Sequence, residues 1–425
     1  MTTQPTPATL RVLISGGGIA GNAVALQLLR AGIRPTVIER AAAARPGGQA
    51  VDLRGPSRTV AQRMGLMPGI HRHQLDERGM VYVDSTGREA ARMAAELFEG
   101  KGAVAEIEIT RGDLNQVLLD SIAAETARPG GPGIDYRYGE QIRALHEHAD
   151  GVSVEFASGA TEEFDLVVGA DGLHSTTRRL AFGPEEQFST YLGGYTSYFT
   201  MPTPEGIRPH WMTVQLLPGG TFLGFRPDAD PATTKAMISI RRPADPALRR
   251  DTAAQKRLLR EGLAAGGWLV PEVDAAMDDA ADFYFDELAR ITMPQWTTER
   301  IALVGDAGYC GSPLSGQGTA MALVGAYVLV GEIMRTPDRP TAALARYNEI
   351  LRPFVESAQQ LPPGGVKAMT PRTRAGIRAS LALVRFTTSR LMQPLMTRML
   401  SGTEDYELPD YSADLPTVEQ DARPL

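Results

Sequence analysis

Leu10-Arg11-Val12-Leu13-Ile14-Ser15-Gly16-Gly17-Gly18-Ile19-Ala20-Gly21 is the stretch on which the fold turns: an apolar strand pattern running straight into a glycine cluster. A helical stretch follows from Asn22 to Arg30, Gly32 ends it, and Pro35-Thr36-Val37-Ile38-Glu39 reads as the next strand. Strand, tight turn, helix and strand make a βαβ unit, and Gly16, Gly18 and Gly21 have the GxGxxG spacing within it. In such a unit the first glycine permits the turn, the second lets a pyrophosphate approach the backbone, and the third lets helix and strand pack closely. The helix start adds unpaired amides and a partial positive charge. Glu39, at the end of the second strand, is the acid expected on a ribose hydroxyl.

Two further strand–turn units lie downstream. Asp165-Leu166-Val167-Val168-Gly169 precedes Ala170-Asp171-Gly172, and Ile301-Ala302-Leu303-Val304-Gly305 precedes Asp306 and a long helix from about Gly318. Between them, Val81 to Ile109 and Ser189 to Ile291 alternate aromatic and β-branched residues with others, as in Tyr195-Thr196-Ser197-Tyr198-Phe199. That alternation favours an antiparallel sheet. A nucleotide-binding domain built from separated segments, with a β-rich domain inserted in it, is the expectation. Tyr195, Trp211, Phe222, Phe225 and Phe283 in the insertion are candidates to line a flat ring pocket, each also explicable as plain core, and His210 is a candidate general base.

Composition narrows the function classes. The chain has 425 residues, 43% hydrophobic and 22% charged, with a net charge of −7, as expected of a globular protein that does not have nucleic acid as its main partner. A single cysteine, Cys310, and six scattered histidines leave no spacing for a disulfide framework or a metal site. The apolar run Gly318 to Met334 contains Glu332 and stops short of a bilayer span, and Thr9 to Gly32 lacks the basic start of a signal peptide. A cytoplasmic location, without stable membrane insertion, is therefore expected. Towards the end, seven cations from Lys367 to Arg398 occur without an acid, and Ile377, Leu381, Val384, Leu391 and Leu395 fall near helical spacing, with Pro394 expected to kink the end. A basic helix that packs on the body and bridges the domains is expected over 356–402, with an acidic tail over 403–425; contact with a membrane or an acidic partner is the competing reading.

The first glycine triplet alone does not choose between dinucleotides. Gly305-Asp306-Ala307-Gly308-Tyr309 and Pro313-Leu314-Ser315-Gly316-Gln317-Gly318 choose a flavin: Asp306 can hold a ribityl hydroxyl, and the Gly316–Gly318 amides at a helix start suit the pyrimidine edge of a ring that becomes anionic on reduction. With these motifs in order, the sequence from about 10 to 355 resembles the class A flavoprotein monooxygenases of the para-hydroxybenzoate hydroxylase type, and within them the tetracycline-inactivating and polyketide-tailoring branch. The resemblance is carried by Gly16 to Gly21, by Gly169-Ala170-Asp171-Gly172-Leu173-His174-Ser175-Thr176-Thr177-Arg178, by Gly305 to Gly318, and by Tyr347-Asn348-Glu349-Ile350-Leu351-Arg352-Pro353.

The resemblance implies an α/β fold: a Rossmann-like, GR2-type FAD-binding domain over 9–79, 106–188 and 292–355, and a mainly antiparallel substrate-binding sheet over 80–105 and 189–291. It implies Glu39 and Arg40 at the adenosine end of FAD, Arg111 at the phosphate and ribityl region, and Asp306 on the cofactor. Asp171 would serve FAD and NAD(P)H together, Asp52 would lie beside the flavin, and Arg45 would meet the phosphate of NADPH. Salt bridges at the surface or between domains are the bland alternatives for Arg111, Asp52 and Arg45. Pro313, Gly316, Gln317 and Gly318 would border the flavin, which is itself the reactive group. NADPH or NADH would reduce it, O2 would add at C4a to give a hydroperoxide, and one oxygen atom would pass to an aromatic or polycyclic substrate, by a monomer or homodimer. Three positions depart from the family pattern: Tyr309 replaces a histidine, Ala320 an asparagine and Gly325 an aspartate.

A flavin oxidase or dehydrogenase on the same scaffold is the alternative function. A reductase with two dinucleotide domains is disfavoured because there is no second GxGxxG. A halogenase is disfavoured because Trp296 has no partner tryptophan two residues away, and a non-catalytic flavin binder because the motif set is complete.

Overall fold

The computed structural model describes residues 10–45, 47–95, 107–389, 392 and 406–415. Five parallel strands form the central sheet in the order Ile301–Leu303, Leu166–Gly169, Val12–Ser15, Pro35–Glu39, Asp135–Tyr138. Val12–Ser15 is buried throughout, as its unbroken apolar run requires of a strand covered on both faces. Side chains alternate across it: Val12 and Ile14 meet the helices Ile19–Arg30 and Gly318–Arg335. Leu13 points the other way, into a three-stranded antiparallel meander of Ile142–His148, Gly151–Phe156 and Thr161–Phe164. The sequence reading leaves that meander unassigned. Gly318–Arg335 is, among the described residues, the one helix long and apolar enough to cross a membrane, with mean hydropathy 1.3. It is 83% buried inside the protein, the position of a core helix.

The larger sheet has seven strands in the order Tyr284–Ile291, Ser189–Pro202, Thr233–Ile240, Thr221–Pro227, Met212–Leu217, Gly79–Val83, Glu89–Ala94. All neighbours are antiparallel except Met212–Leu217 and Gly79–Val83, which run parallel. Its outer face packs Tyr195, Phe199, Leu223, Phe225 and Ile238 under the helices Thr252–Leu263 and Val270–Asp279. Its inner face carries Met80, Tyr82, Met212, Val214, Phe222 and Met237, with Met369 against them. This parity corrects the expected pocket lining. Phe222 and Phe225 are three residues apart on one strand and so face opposite ways; Phe222 is inside, whereas Tyr195, Phe225 and Phe283 belong to the outer core. Trp211 sits between the guanidinium groups of Arg92 and Arg208.

The end of the chain is also more divided than one bridging helix over 356–402. The helix Pro340–Ala358 carries on past 355, and Pro362, Pro363, Gly364 and Gly365 then break the path. Two pieces follow, Gly365–Met369 and Arg374–Thr387. Arg374–Thr387 lies against the larger sheet, where Arg385 Nε donates to Ala90 O at 2.5 Å. Arg390, Leu391, Pro394, Leu395 and Arg398 lie outside the described residues. Within the acidic tail, 406–415 is packed rather than free. The Tyr411 ring is fully buried over Gly331, where any Cβ would overlap it, and its hydroxyl donates to Glu332 at 2.8 Å. Tyr406 donates to Ile350 O at 3.0 Å.

Candidate flavin site

The three motif glycines are needed for different reasons. Gly16 has φ +114°, and a Cβ there would overlap Ala170 O; a Cβ at Gly21 would overlap Gly16 O. Gly18 meets only Arg111 Nη2, 3.7 Å away, so its Cβ position opens on empty cleft. That cleft is walled by Gly16 to Gly18, Glu39, Arg40, Arg45, Arg111, Asp171 and His174. Helix Ile19–Arg30 starts at its floor with no side-chain cap and no acid in its first turn, leaving amides for an anion. Arg40, Arg45 and Arg111 are exposed around it. The turn is braced by residues that motif reading missed. Asn22 donates to Gly17 O and to Asn115 Oδ1, both at 2.9 Å, Asn115 donates to Gly17 O, and Tyr136 donates to Asn22. Polar side chains buried one helical turn past a glycine cluster are the signal that could have found them. The Glu39 carboxylate accepts from Gly17 N at 2.9 Å and Ala41 N at 2.8 Å, which fixes it at the strand end.

Within reach of the Arg111 charge, Asp306 opens a short helix after Gly305, which has φ +64°. Surrounding protein raises the Asp306 pKa, the Cys310 thiol that donates to it and the Arg111 guanidinium oppose the rise, and Asp286 adds to it. Its surface nevertheless stays open, so the acid faces a slot rather than a packed core. Gly316 is left-handed at φ +65°, and neither Gly316 nor Gly318 would present a Cβ to any atom within 4 Å. Gln317 stands between them as the N-cap of Gly318–Arg335. The preceding Ser312 is strained, at φ +69°, and its buried hydroxyl has no partner. Strain and an orphaned hydroxyl beside an open helix start mark a loop shaped for a ligand. These residues fit FAD along its length: an acid for the adenosine ribose, an open glycine and an arginine for pyrophosphate, Asp306 for the ribityl chain, and a helix N-terminus for the ring.

Asp171 and Asp52 are more engaged than expected. Asp171 accepts from Ser175 Oγ at 2.5 Å and from Thr177 N and Oγ1 at 2.9 and 3.0 Å, which holds its own loop in shape. Asp52 pairs with Arg54 and lies 3.9 Å from Arg226, in a cluster where Arg226 also bonds Glu77 at 2.7 Å and Glu108. That cluster joins the two-stranded ribbon Ala50–Leu53 and Ile107–Thr110 to the larger sheet. His210, exposed and 3.2 Å from Asp76, does not reach the cleft lining.

The family departures at Tyr309 and Gly325 explain each other. Tyr309 is buried and its hydroxyl bonds Tyr347 Oη at 2.9 Å, which in turn donates to Leu303 O. A Cβ at Gly325 would overlap that Tyr309 hydroxyl. The tyrosine fills the space that a residue larger than glycine would need. Ala320 is buried in the same core.

His174 ties the Asp171 loop to the larger sheet. Its Nδ1 lies 3.1 Å from Glu185 and its Nε2 3.0 Å from Asp286. Glu185 also receives Arg178 at 2.9 Å and Arg249 at 2.6 Å, and Arg249 reaches Glu287. Hydrogen bonds that the imidazolium donates to Asp286 and Glu185 raise the His174 pKa to about 9. Burial opposes, but His174 and Arg249 outweigh it and hold Glu185 down to about 2. A raised histidine stabilises fully below its ordinary value of 6.5 and loses that contribution as pH rises through about 9; a depressed glutamate loses its own only as pH falls through about 2. His174→Gln is therefore expected to lower the denaturant midpoint at pH 6.5, with the difference from wild type closing above pH 9. A constant difference from pH 6 to 10 would show that the imidazolium charge plays no part.

Comparison with known proteins follows the same line. Residues 9–361 match a family described as FAD binding domain. A flavin-dependent monooxygenase from an unknown prokaryotic organism is 40% identical over 359 residues, covering 83% of this chain and 88% of that protein. An FAD-dependent monooxygenase of Sarocladium schorii is 33% identical over 418 residues, 95% of this chain and 98% of that one. Among solved structures, the tetracycline destructase Tet(55) superposes with TM-score 0.77 at 35% identity, covering 96% of this chain and all of its own.

Proposed function

The chain belongs to the FAD-binding-domain family and is an FAD-dependent monooxygenase, and from that premise we propose that it consumes NADPH or NADH to insert one oxygen atom of O2 into an aromatic or polycyclic, polyketide- or antibiotic-like substrate. The balance is substrate–H, O2, NAD(P)H and a proton giving substrate–OH, NAD(P)+ and water. Flavin, when bound, supplies the redox chemistry: it accepts the hydride and activates oxygen. This chain's residues do the rest. The Gly16–Gly18 turn, the start of Ile19–Arg30 and Arg111 bind the pyrophosphate; Glu39 and Asp306 orient the sugar and the ribityl chain. The Gly316–Gly318 amides put fixed dipoles where reduction builds negative charge on the ring. Arg45, exposed on the rim of the cleft, would meet the nicotinamide nucleotide, and the inner face of the larger sheet would hold the substrate and exclude water.

The observation that carries this reading is the pair of open backbone stretches at helix starts, Gly18 before Ile19–Arg30 and Gly316 and Gly318 at Gly318–Arg335, none of whose Cβ positions meets packed protein. Tet(55), whose name states tetracycline destruction, supports an antibiotic-like substrate. A cytoplasmic, monomeric or homodimeric enzyme is part of the proposal. The test is turnover with a panel of phenols, anthraquinones and tetracyclines under labelled dioxygen. One labelled atom is expected in product, with NAD(P)H oxidation accelerated by substrate; product without label returns the chain to oxidase or dehydrogenase chemistry.

A further inference from the structure

The inner face of the larger sheet aligns one row of residues across six strands. Successive register partners are Tyr82, Val214, Gly224, Met237, Tyr198 and Tyr284. Gly224 makes a notch in the row: a Cβ there would lie 2.9 Å from Phe222, 3.2 Å from Met212 and 3.3 Å from Met237. From Tyr82 to Met237 is three interstrand spacings, about 14 Å. Along this length the surface is methionine, valine and phenylalanine, closed over in part by Met369 of the helix Gly365–Met369. Thioether side chains adapt to a flat polarisable ring face.

Two polar facts sharpen the pattern. The half-buried Tyr82 hydroxyl has no hydrogen-bond partner among the described residues, and burial alone lifts its pKa; Tyr284, at the opposite end of the row, donates to Asp286 at 2.8 Å. A phenol placed on an apolar wall without a partner is a donor held for a ligand. The only cations on the four strands from Gly79–Val83 to Thr233–Ile240 are Arg226 and Lys235. Arg226 is taken up by Glu77 and Glu108 with Asp52 nearby, and Lys235 by Asp228 at 2.9 Å and Thr200 at 2.7 Å. Acids outnumber cations in the Arg226 cluster even with Arg54 included, so these four strands offer a carboxylate no uncommitted cation.

We propose that Tyr82 orients the substrate by hydrogen-bonding one end of a neutral fused-ring aromatic compound that lies along Val214, Gly224 and Met237, and that the wall rejects aromatic acids. This rests on the monooxygenase reading for the use of the face and adds its chemical class and its orienting residue. A single ring cannot touch Tyr82 and Met237 together; a fused system can.

The FAD-loaded protein is titrated with 1,8-dihydroxyanthraquinone and with its 3-carboxylate, and binding is followed by the change in flavin absorbance. Micromolar binding of the neutral quinone is expected, at least tenfold weaker binding of the carboxylate, and about tenfold weaker quinone binding by Tyr82→Phe, the loss of one neutral hydrogen bond. The Tyr82→Phe unfolding midpoint should equal or exceed that of wild type, because its hydroxyl bonds nothing in the protein; a fall would assign Tyr82 a structural role and overturn the proposal. Equal quinone affinity in Tyr82→Phe, a carboxylate that binds as tightly as the quinone, or no binding of either overturns it as well. If binding follows expectation while labelled dioxygen leaves no label in product, the monooxygenase reading fails alone. If label enters product while Tyr82→Phe binds and turns over like wild type, this inference fails alone.

Discussion

Gly18→Val is expected to give a folded, colourless protein, whereas Gly21→Ala is expected to give a clearly destabilised one. Both substitutions fall in one motif of six residues, and both would be scored as loss of function by activity alone. They differ in what the new atoms meet. At Gly18 the backbone is extended, with φ −86° and ψ −173°, which any residue adopts, and the Cβ faces empty cleft beside Arg111. Valine there invades the space assigned to the pyrophosphate without touching the core, so the unfolding midpoint of the apoprotein should stay within about 0.5 kcal/mol of wild type. FAD affinity should fall by at least about a hundredfold, roughly 2.8 kcal/mol. At Gly21 the Cβ would overlap Gly16 O, a backbone atom that cannot rotate away. The helix must move off the sheet, at a cost of about 1–3 kcal/mol or more. Denaturant melts of both apoproteins with FAD titrations separate the cases; equal destabilisation by the two variants would show that Gly18 does not face a ligand.

The second large effect is expected at Gly325. Gly325→Asp, which restores the residue common in the family pattern, should destabilise the protein by about 4 kcal/mol or more. It sets an acid against the Tyr309 hydroxyl inside the core and leaves the carboxylate without a cation partner. Tyr309→His alone forfeits the bond to Tyr347 and opens a cavity beside Trp296, whose ring lies 4.9 Å from that of Tyr309. Combining the two should recover about 1–3 kcal/mol relative to the sum of the single effects, the coupling of residues that occupy one space. Additive unfolding energies across the four proteins would mean that the two departures arose independently of each other's volume.

Four strands of the parallel sheet were legible because they are largely buried and apolar, with Pro35–Glu39 where the sequence puts it and Val12–Ser15 within the expected Leu10–Ser15; the edge strand Asp135–Tyr138, half-buried and polar, was not. The glycine turns were legible from their spacing, in which Gly16 and Gly21 answer steric demands of the fold and Gly18 leaves room for a ligand. The substrate wall was not. Aromatic content marks Tyr195, Phe222, Phe225 and Phe283 alike, but only the strand register tells which of them look inward, and register is set by pairing between distant segments. The ion cluster around Arg226 was hidden too, because Asp52, Glu77 and Glu108 are far apart in the chain and carry no local pattern. The seating of 406–415 went unread because acidic composition masked two tyrosines, Tyr406 and Tyr411, that act as anchors.

The arrangement of the cleft also fixes when in the protein's life the cofactor can enter. Gly16 to Gly21 and the Asp306 and Gly316–Gly318 segments are far apart in the chain, and the strands that lead into them, Val12–Ser15 and Ile301–Leu303, are joined in the sheet through Leu166–Gly169 between them. A chain in which these segments have not yet met holds half a nucleotide site. Flavin capture is therefore expected to follow the pairing of distant segments, so that FAD binds the folded protein and not its separate pieces.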